Sequence, residues 1–201
     1  MKPTFLFLLL ALPLLSQAQS NKAASYQDAK DNCRRIAEEK NKASTGSMVY
    51  TGPDCMIGAM APDFSVVTMD GRPFSTDSLK GKISILNFWM ISCPPCIAEI
   101  PGLNNVVKKY GRDEFNFIAI GMDDEKDINH FLKNNPWTFD QLASGSKLIF
   151  DVFKIGWGFP TTFVLDKEGV IIGAFSGGTT DEMAVQNIEN TLAEIVTKAG
   201  R

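Results

Sequence analysis

The sequence predicts an α/β domain: a central mixed β-sheet flanked by helices, with an N-terminal β-hairpin extension. Three observations carry this. Ile83-Ser-Ile-Leu-Asn-Phe-Trp89 and Phe115-Asn-Phe-Ile-Ala-Ile120 are nearly continuous apolar, β-prone runs, the pattern of strands buried on both faces of a sheet. Between them, Ile97, Ile100, Leu103, Val106, Val107 and Tyr110 repeat at the spacing of an amphipathic helix. After them, Thr161 to Leu165, Asp166 to Gly169 and Val170 to Phe175 read as strand, turn and strand.

The size fits one such domain. The chain has 201 residues, 44% of them hydrophobic, and a soluble domain typically takes about 100–200. Lys+Arg 20 against Asp+Glu 23 gives net charge −3, so the basic footprint of a nucleic-acid binder is missing and no nucleic-acid partner is expected. No internal repeat or low-complexity tract interrupts the pattern.

Taken in order, the chain begins with Lys2 and the apolar run Phe5 to Leu15, followed by the small residues of Ser16-Gln17-Ala18. This predicts a signal peptide over 1–18, cleaved before Gln19, with an uncleaved membrane anchor as the alternative. The run is short for a membrane span, and Pro13 interrupts it. The expected location is therefore exported and periplasmic, where disulfides persist. Residues 19–56 read as a polar leader with one exposed helix, carried by the sparse apolar set Tyr26, Cys33, Ile36 and Ala37. Turn punctuation at Thr45-Gly46-Ser47 and Thr51-Gly52-Pro53-Asp54 sets it apart from a domain over 57–201.

Within that domain, Phe64 to Thr68 is a strand, Asp70-Gly71 a hairpin turn and Pro73 to Leu79 its return. The strand Ile83–Trp89 leads into the helix Ile97–Tyr110, which Pro101 is expected to kink. The second strand precedes a short helix, Lys126 to Asn134, stopped by Asn135-Pro136; strand, helix, strand in that order implies a parallel βαβ unit. Leu148 to Lys154 is a further short helix. Asp181 to Lys198 closes the chain as a helix with Met183, Val185, Ile188, Leu192, Ile195 and Val196 on one stripe.

The chemistry concentrates at Cys93-Pro94-Pro95-Cys96, two of the four cysteines. Between a buried strand and a helix, this spacing puts Cys93 at the helix N-terminus and Cys96 about one turn in. Free N–H groups and the positive end of the helix dipole favour a thiolate there, making Cys93 the nucleophile and Cys96 the resolving thiol. Pro94 and Pro95 occupy positions where a missing N–H costs little and stiffen the loop between the sulfurs. A zinc site would need a second knuckle; Cys33 and Cys55 are widely spaced, the single histidine, His130, lies in a polar helix, and no metal is expected. No cofactor is implied.

The block Phe88-Trp89-Met-Ile-Ser-Cys93-Pro-Pro-Cys96-Ile-Ala-Glu99-Ile-Pro101 resembles the active site of exported thioredoxin-like thiol-disulfide oxidoreductases of the TlpA and cytochrome c maturation type, within the AhpC/TSA-redoxin superfamily. Gly58-Ala-Met-Ala-Pro62-Asp63-Phe64 resembles that superfamily's N-terminal block. Gly158-Phe-Pro160-Thr161-Thr162 through Gly169 resembles its proline loop. The resemblance spans about Ile57 to Val196 and implies a thioredoxin-like fold. It implies a cis Pro160 whose loop lies against the cysteine pair, with Phe159, Pro160 and Thr161 beside the substrate and Trp157 lining the groove. Trp89 either flanks the site or, by its alternation phase, packs in the core. For Glu99 the resemblance implies an acid/base role toward Cys96; a solvated helix glutamate is the plainer reading. The sequence also departs from the pattern. Ser92 stands where relatives usually carry an aromatic, and Asn87 where thioredoxin has a buried acid, which shifts proton transfer to Glu99 or water.

The activity implied is reduction or exchange of protein disulfides, including apocytochrome-type cysteines, by a monomer kept reduced by a membrane electron donor. A peroxiredoxin-type peroxidase is the alternative, but it wants Thr or Ser where Met90 stands and a nearby arginine, the nearest in sequence being Arg72 and Arg112. A non-enzymatic binding protein retaining the fold is the third. Two readings stand for Cys33 and Cys55: a structural disulfide tying the leader to the domain, or a free thiol that shuttles with the Cys93/Cys96 pair.

Overall fold

The computed structural model describes residues 23–44 and 51–199. The signal segment 1–18 and the turn at Thr45-Gly46-Ser47 lie outside the described residues. The elements are α1 (Tyr26–Ala43), a 3₁₀ turn (Pro53–Met56), β1 (Ser65–Val67), β2 (Pro73–Ser75), α2 (Thr76–Leu79), β3 (Ile83–Trp89) and α3 (Pro94–Tyr110). They continue with β4 (Phe115–Gly121), α4 (Glu125–Leu132), β5 (Asp140–Leu142), a π-helical turn (Leu148–Val152), β6 (Thr161–Leu165), β7 (Ile171–Ser176) and α5 (Ala184–Ala199). No helix among the described residues is long and apolar enough to cross a membrane.

Five strands form one mixed sheet in the order β5-β4-β3-β6-β7. β3 and β4 are parallel, as are β4 and β5; β6 runs antiparallel to β3 and β7 antiparallel to β6. The strands β1 and β2 form the separate antiparallel hairpin ahead of it. The sheet is covered on both faces, which is why β3 and β4 read as continuous apolar runs. Leu86, Phe88 and Phe163 pack with Phe153, Met56 and Tyr26 on one side. Ile85, Trp89, Phe117 and Val164 pack with α3 and α5 on the other. Those two helices approach closely at Gly102, where a Cβ would lie 2.5 Å from Ile188 Cγ2. Helix α3 continues through Pro101 as one element and ends at Gly111, whose N–H donates to the Val107 carbonyl with φ +70°.

Three short elements differ from expectation. The return segment Pro73–Leu79 is a strand only to Ser75; the Ser75 N–H then donates to Ser78 Oγ (3.1 Å) and the chain turns into α2. The expected helix over Leu148–Lys154 is a π-helical turn. Strand β5 has three residues and no periodicity of its own; it forms because β4 offers a free parallel edge.

The leader helix is not loosely attached. Ser25 caps α1 by accepting the Asp28 N–H (3.1 Å). Tyr26, Ala29 and Cys33 are buried in the first core cluster. Tyr26 donates to the Phe153 carbonyl (2.5 Å) and packs edge-on against the Phe153 ring. Before the helix, Ala24 bridges to the 58–60 segment, and that segment hydrogen-bonds to the start of β7 through Gly58, Ala59 and Ile171. Cys33 and Cys55 are joined as a disulfide across a sequence separation of 22, so the structural reading of this pair, not the free thiol, describes the molecule. A loop of that length loses enough unfolded-state entropy to add about 3 kcal/mol of stability. The double substitution Cys33→Ala/Cys55→Ala is expected to lower the unfolding free energy by about that amount, read from denaturant midpoints; an unchanged midpoint would show that packing alone holds α1.

Candidate active site

The site is built where β3 leaves the sheet. Met122 N–H donates to the Trp89 carbonyl (3.1 Å), fixing the last residue of the strand against the end of β4. The Asp123 carboxylate accepts the Ile91 N–H (2.8 Å), and Cys93 N–H donates to the Met90 carbonyl (3.2 Å). The chain thus turns directly into α3 with Cys93 as its N-cap. The Cys93 sulfur accepts the Cys96 N–H (3.3 Å), so it sits among the unpaired donors of the helix start, where negative charge is stabilised.

Cys93 and Cys96 are joined as a disulfide with their Cα atoms 5.3 Å apart. Cys93 is 7% exposed and Cys96 1%, so Cys93 is the less buried residue of the pair. Pro94 is exposed and Pro95 half-buried. The Phe159–Pro160 peptide is cis, as the resemblance implies. The Pro160 carbonyl accepts the Gly177 N–H (2.8 Å), and Thr161 Oγ1 donates to the Gly158 carbonyl (2.7 Å). Strand β6 pairs Thr161 with Phe88, so the proline loop is carried to the same end of the sheet as the cysteine loop. Phe159 packs into the cluster that holds Cys93 and Cys96. Pro160 and Thr161 are themselves buried, and Phe159 offers the accessible surface of this loop.

Of the two readings of Trp89, the structure places the ring in the core. It is fully buried, 5.0 Å from the Trp137 ring and 5.5 Å from Phe131, on the core side of the sheet. The alternation of β3 decides this, since Ile85 and Trp89 share the face covered by α3.

Glu99 is only 4% exposed and is no solvated helix glutamate. Its Oε2 is buried without a hydrogen-bond partner, and burial pushes its carboxyl from the ordinary 4.5 up to about 8. The backbone of Gly178, after β7, makes the close wall. A Cβ there would lie 2.5 Å from Glu99 Oε1 and 3.4 Å from Pro95 Cβ, so a side chain at 178 would push the carboxyl aside. The carboxyl also borders a cavity of about 90 Å³ with Phe175, Thr179 and Ala184. Asn87, on β3, donates from Nδ2 to Thr162 Oγ1 (3.0 Å) and leaves Oδ1 buried without a partner. Asp123 and Gly178 are absent from the sequence reading. The Gly177-Gly178 pair ending a strand is the one local signal for such a close approach. Among the described residues no group of three His, Cys, Asp or Glu side chains is arranged to hold a metal ion.

Residues 57–174 match the AhpC/TSA family, more than half of the chain. The chain belongs to the AhpC/TSA family. It is 32% identical over 127 residues to a thiol-disulfide oxidoreductase ResA of Bacillus cereus, covering 63% of this chain and 73% of that protein. A thiol:disulfide interchange protein of the thioredoxin family from Chlorobium tepidum TLS superposes with TM-score 0.57 at 33% identity, covering 70% of this chain and 94% of that one. A secreted Mycobacterium tuberculosis disulfide oxidoreductase homologous to E. coli DsbE superposes with TM-score 0.55 at 25% identity, covering 65% and 95%. This AhpC/TSA-family chain has the thioredoxin-like fold and is a thiol-disulfide oxidoreductase.

The Glu99 carboxyl gives the family site a pH signature. The folded protein holds it neutral up to about pH 8, while the unfolded chain ionises it from 4.5 upward. Its favourable contribution is therefore full below 4.5 and is lost as pH rises through about 8. Oxidised Glu99→Gln protein is expected to equal the parent in stability near pH 4.5 and to exceed it by roughly 5 kcal/mol near pH 9. Calorimetry at both pH values checks this, and equal stability throughout would show that Glu99 ionises as freely folded as unfolded.

Proposed function

We propose that this chain is an exported protein-disulfide reductase in which Cys93 is the nucleophile and Cys96 the resolving thiol. The observation that carries the reading is the Cys93–Cys96 disulfide at the N-cap of α3, with the more exposed sulfur held among helix N–H donors beside the Phe159–Pro160 loop. In the reduced protein, the Cys93 thiolate attacks one sulfur of a substrate disulfide. That S–S bond breaks, a mixed disulfide forms and one substrate thiolate leaves. Cys96, as thiolate, then attacks the Cys93 sulfur, releasing the second substrate thiol and closing the disulfide. The substrate gains two electrons and two protons, and a membrane-bound thiol donor returns the protein to the dithiol.

Glu99 serves the second step. One helical turn from Cys96 and without a counter-ion, its carboxylate accepts the Cys96 proton once ionised. Asn87, at the position of thioredoxin's buried acid, is an amide and cannot take the Cys96 proton. Substrate contact falls to Pro94, Pro95 and Phe159, with Pro160 and Thr161 shaping the loop backbone beside them. The substrates proposed are protein disulfides, including apocytochrome-type cysteines; Ser92, where relatives usually carry an aromatic, reduces the hydrophobic platform beside Cys93.

Reduced Cys96→Ala protein is expected to accumulate mixed disulfides with protein substrates, released by dithiothreitol and visible on non-reducing gels. Cys93→Ser should form none, and adducts that persist in Cys93→Ser would sink the assignment of roles. Glu99→Gln should slow resolution of the mixed disulfide by at least about tenfold and flatten the limb of its pH profile near 8. Peroxide consumption should be negligible, because Met90 offers no hydroxyl three residues before Cys93; a rate matching disulfide reduction would instead establish the peroxidase reading.

A further inference from the structure

The leader helix has a contact that core packing does not require. Lys30 Nζ lies 3.8 Å above the centroid of the Trp157 ring and donates to the Lys154 carbonyl (2.9 Å). Lys154 Nζ in turn donates to Gln27 Oε1, one turn back on α1. With the Tyr26 hydroxyl on the Phe153 carbonyl, one face of the helix grips the segment from Phe153 to Trp157 at three points. That segment runs directly into Phe159 and the cis Pro160.

The Trp157 ring needs such an external hold. It stands between Gly156 and Gly158, and a Cβ at either glycine would meet nothing within 4 Å. The Gly158 backbone, at φ +87°, is in the region open mainly to glycine. The flanking glycines leave the backbone free to turn there, so the ring's setting comes from its tertiary contacts: the first core cluster, against which it packs, and the group on its other face. On one side it meets the edge of Phe163, at 6.3 Å between centroids; on the other it borders an open groove of about 520 Å³ with Gln27, Cys33 and Thr51. Lys30 is the group that covers its face, and a half-desolvated ammonium over an indole is the strong form of this attraction. One turn further along α1, Cys33 is bonded to Cys55, and the 3₁₀ turn carrying Cys55 packs on β7.

We propose that α1 is a positioning element of the substrate groove: Lys30 holds the Trp157 ring, and through it the Gly156–Phe159 turn, in the setting against which a protein disulfide docks. The inference rests on the functional reading above for its substrate, but the Lys30–Trp157 coupling stands apart from it. Lys30 touches no reacting atom and acts only through Trp157. A small disulfide, which needs no groove wall, is indifferent to it.

The test uses the purified protein with insulin as the protein-disulfide probe, turned over with dithiothreitol as reductant, and 5,5′-dithiobis(2-nitrobenzoate) as the small one, reacted in a single turnover with pre-reduced protein freed of reductant. Lys30→Ala should raise KM for insulin about threefold to tenfold, with kcat and the small-disulfide rate changed by less than about twofold. Lys30→Arg should restore KM, because a guanidinium also stacks on indole. Trp157→Ala should raise KM at least as much, and the double variant should be no worse than Trp157→Ala alone. Additive effects, or equal loss on both probes, would overturn the proposal in favour of a merely structural helix. The indole N–H resonance of Trp157, assigned by Trp157→Phe, supplies a readout that does not depend on activity: it should shift in Lys30→Ala. A parent protein that reduces neither probe while this shift is seen removes the functional reading and supports the coupling. An active parent with an unmoved resonance and unmoved KM removes the coupling.

Discussion

β3 is buried on both faces and hydrogen-bonded along both edges, and the redox site is measured from its C-terminal end. Its register with β6 sets Phe88 against Thr161, which brings Pro160 level with the chain as it leaves Trp89 for Cys93. A slip of one residue would send Trp89 to the opposite face; a slip of two would carry the proline loop about 7 Å from the cysteine loop. The apolar content of β3 and the position of Cys93 are thus one constraint. Parallel pairing with β4 adds the last piece, because the loop after β4 supplies the Met122 N–H and the Asp123 carboxylate that fix the turn between strand and helix.

Around that end of the sheet the protein tolerates polar groups it leaves unpaired. Glu99 Oε2 and Asn87 Oδ1 are both buried without partners, an arrangement that costs stability. Glycine at 178 is part of the same arrangement: a side chain there would displace the carboxyl, whereas bare backbone lies close to it without offering it a charge. The dry, uncompensated setting keeps the acid protonated in a range where an exposed glutamate would be ionised.

The parts of this molecule legible in the sequence are those whose cause is local. Continuous apolar runs marked β3 and β4, helical spacing marked α3 and α5, and the Cys-Pro-Pro-Cys spacing marked both sulfurs. Three-residue β5 could not be read, because its strand character comes from the free edge of β4, and four-residue α2 was hidden inside a hairpin return. The leader helix looked exposed because its apolar set is sparse; Tyr26 and Cys33 find their partners at Phe153 and Cys55, contacts that no window of sequence contains. In the site, Trp89 had a phase that pointed to the core. Asp123 and Gly178 arrive from separate loops through tertiary packing alone.

The Cys33–Cys55 bond closes a covalent ring around the stretch that joins α1 to the rest of the chain. One broken peptide bond anywhere in that ring opens it without freeing the helix, and reduction alone leaves the helix on its tether. Only both injuries together detach it. Unlike the Cys93–Cys96 bond, which closes a loop of only four residues, this second bond works by redundancy: the leader helix has two independent covalent attachments, and losing either leaves it in place.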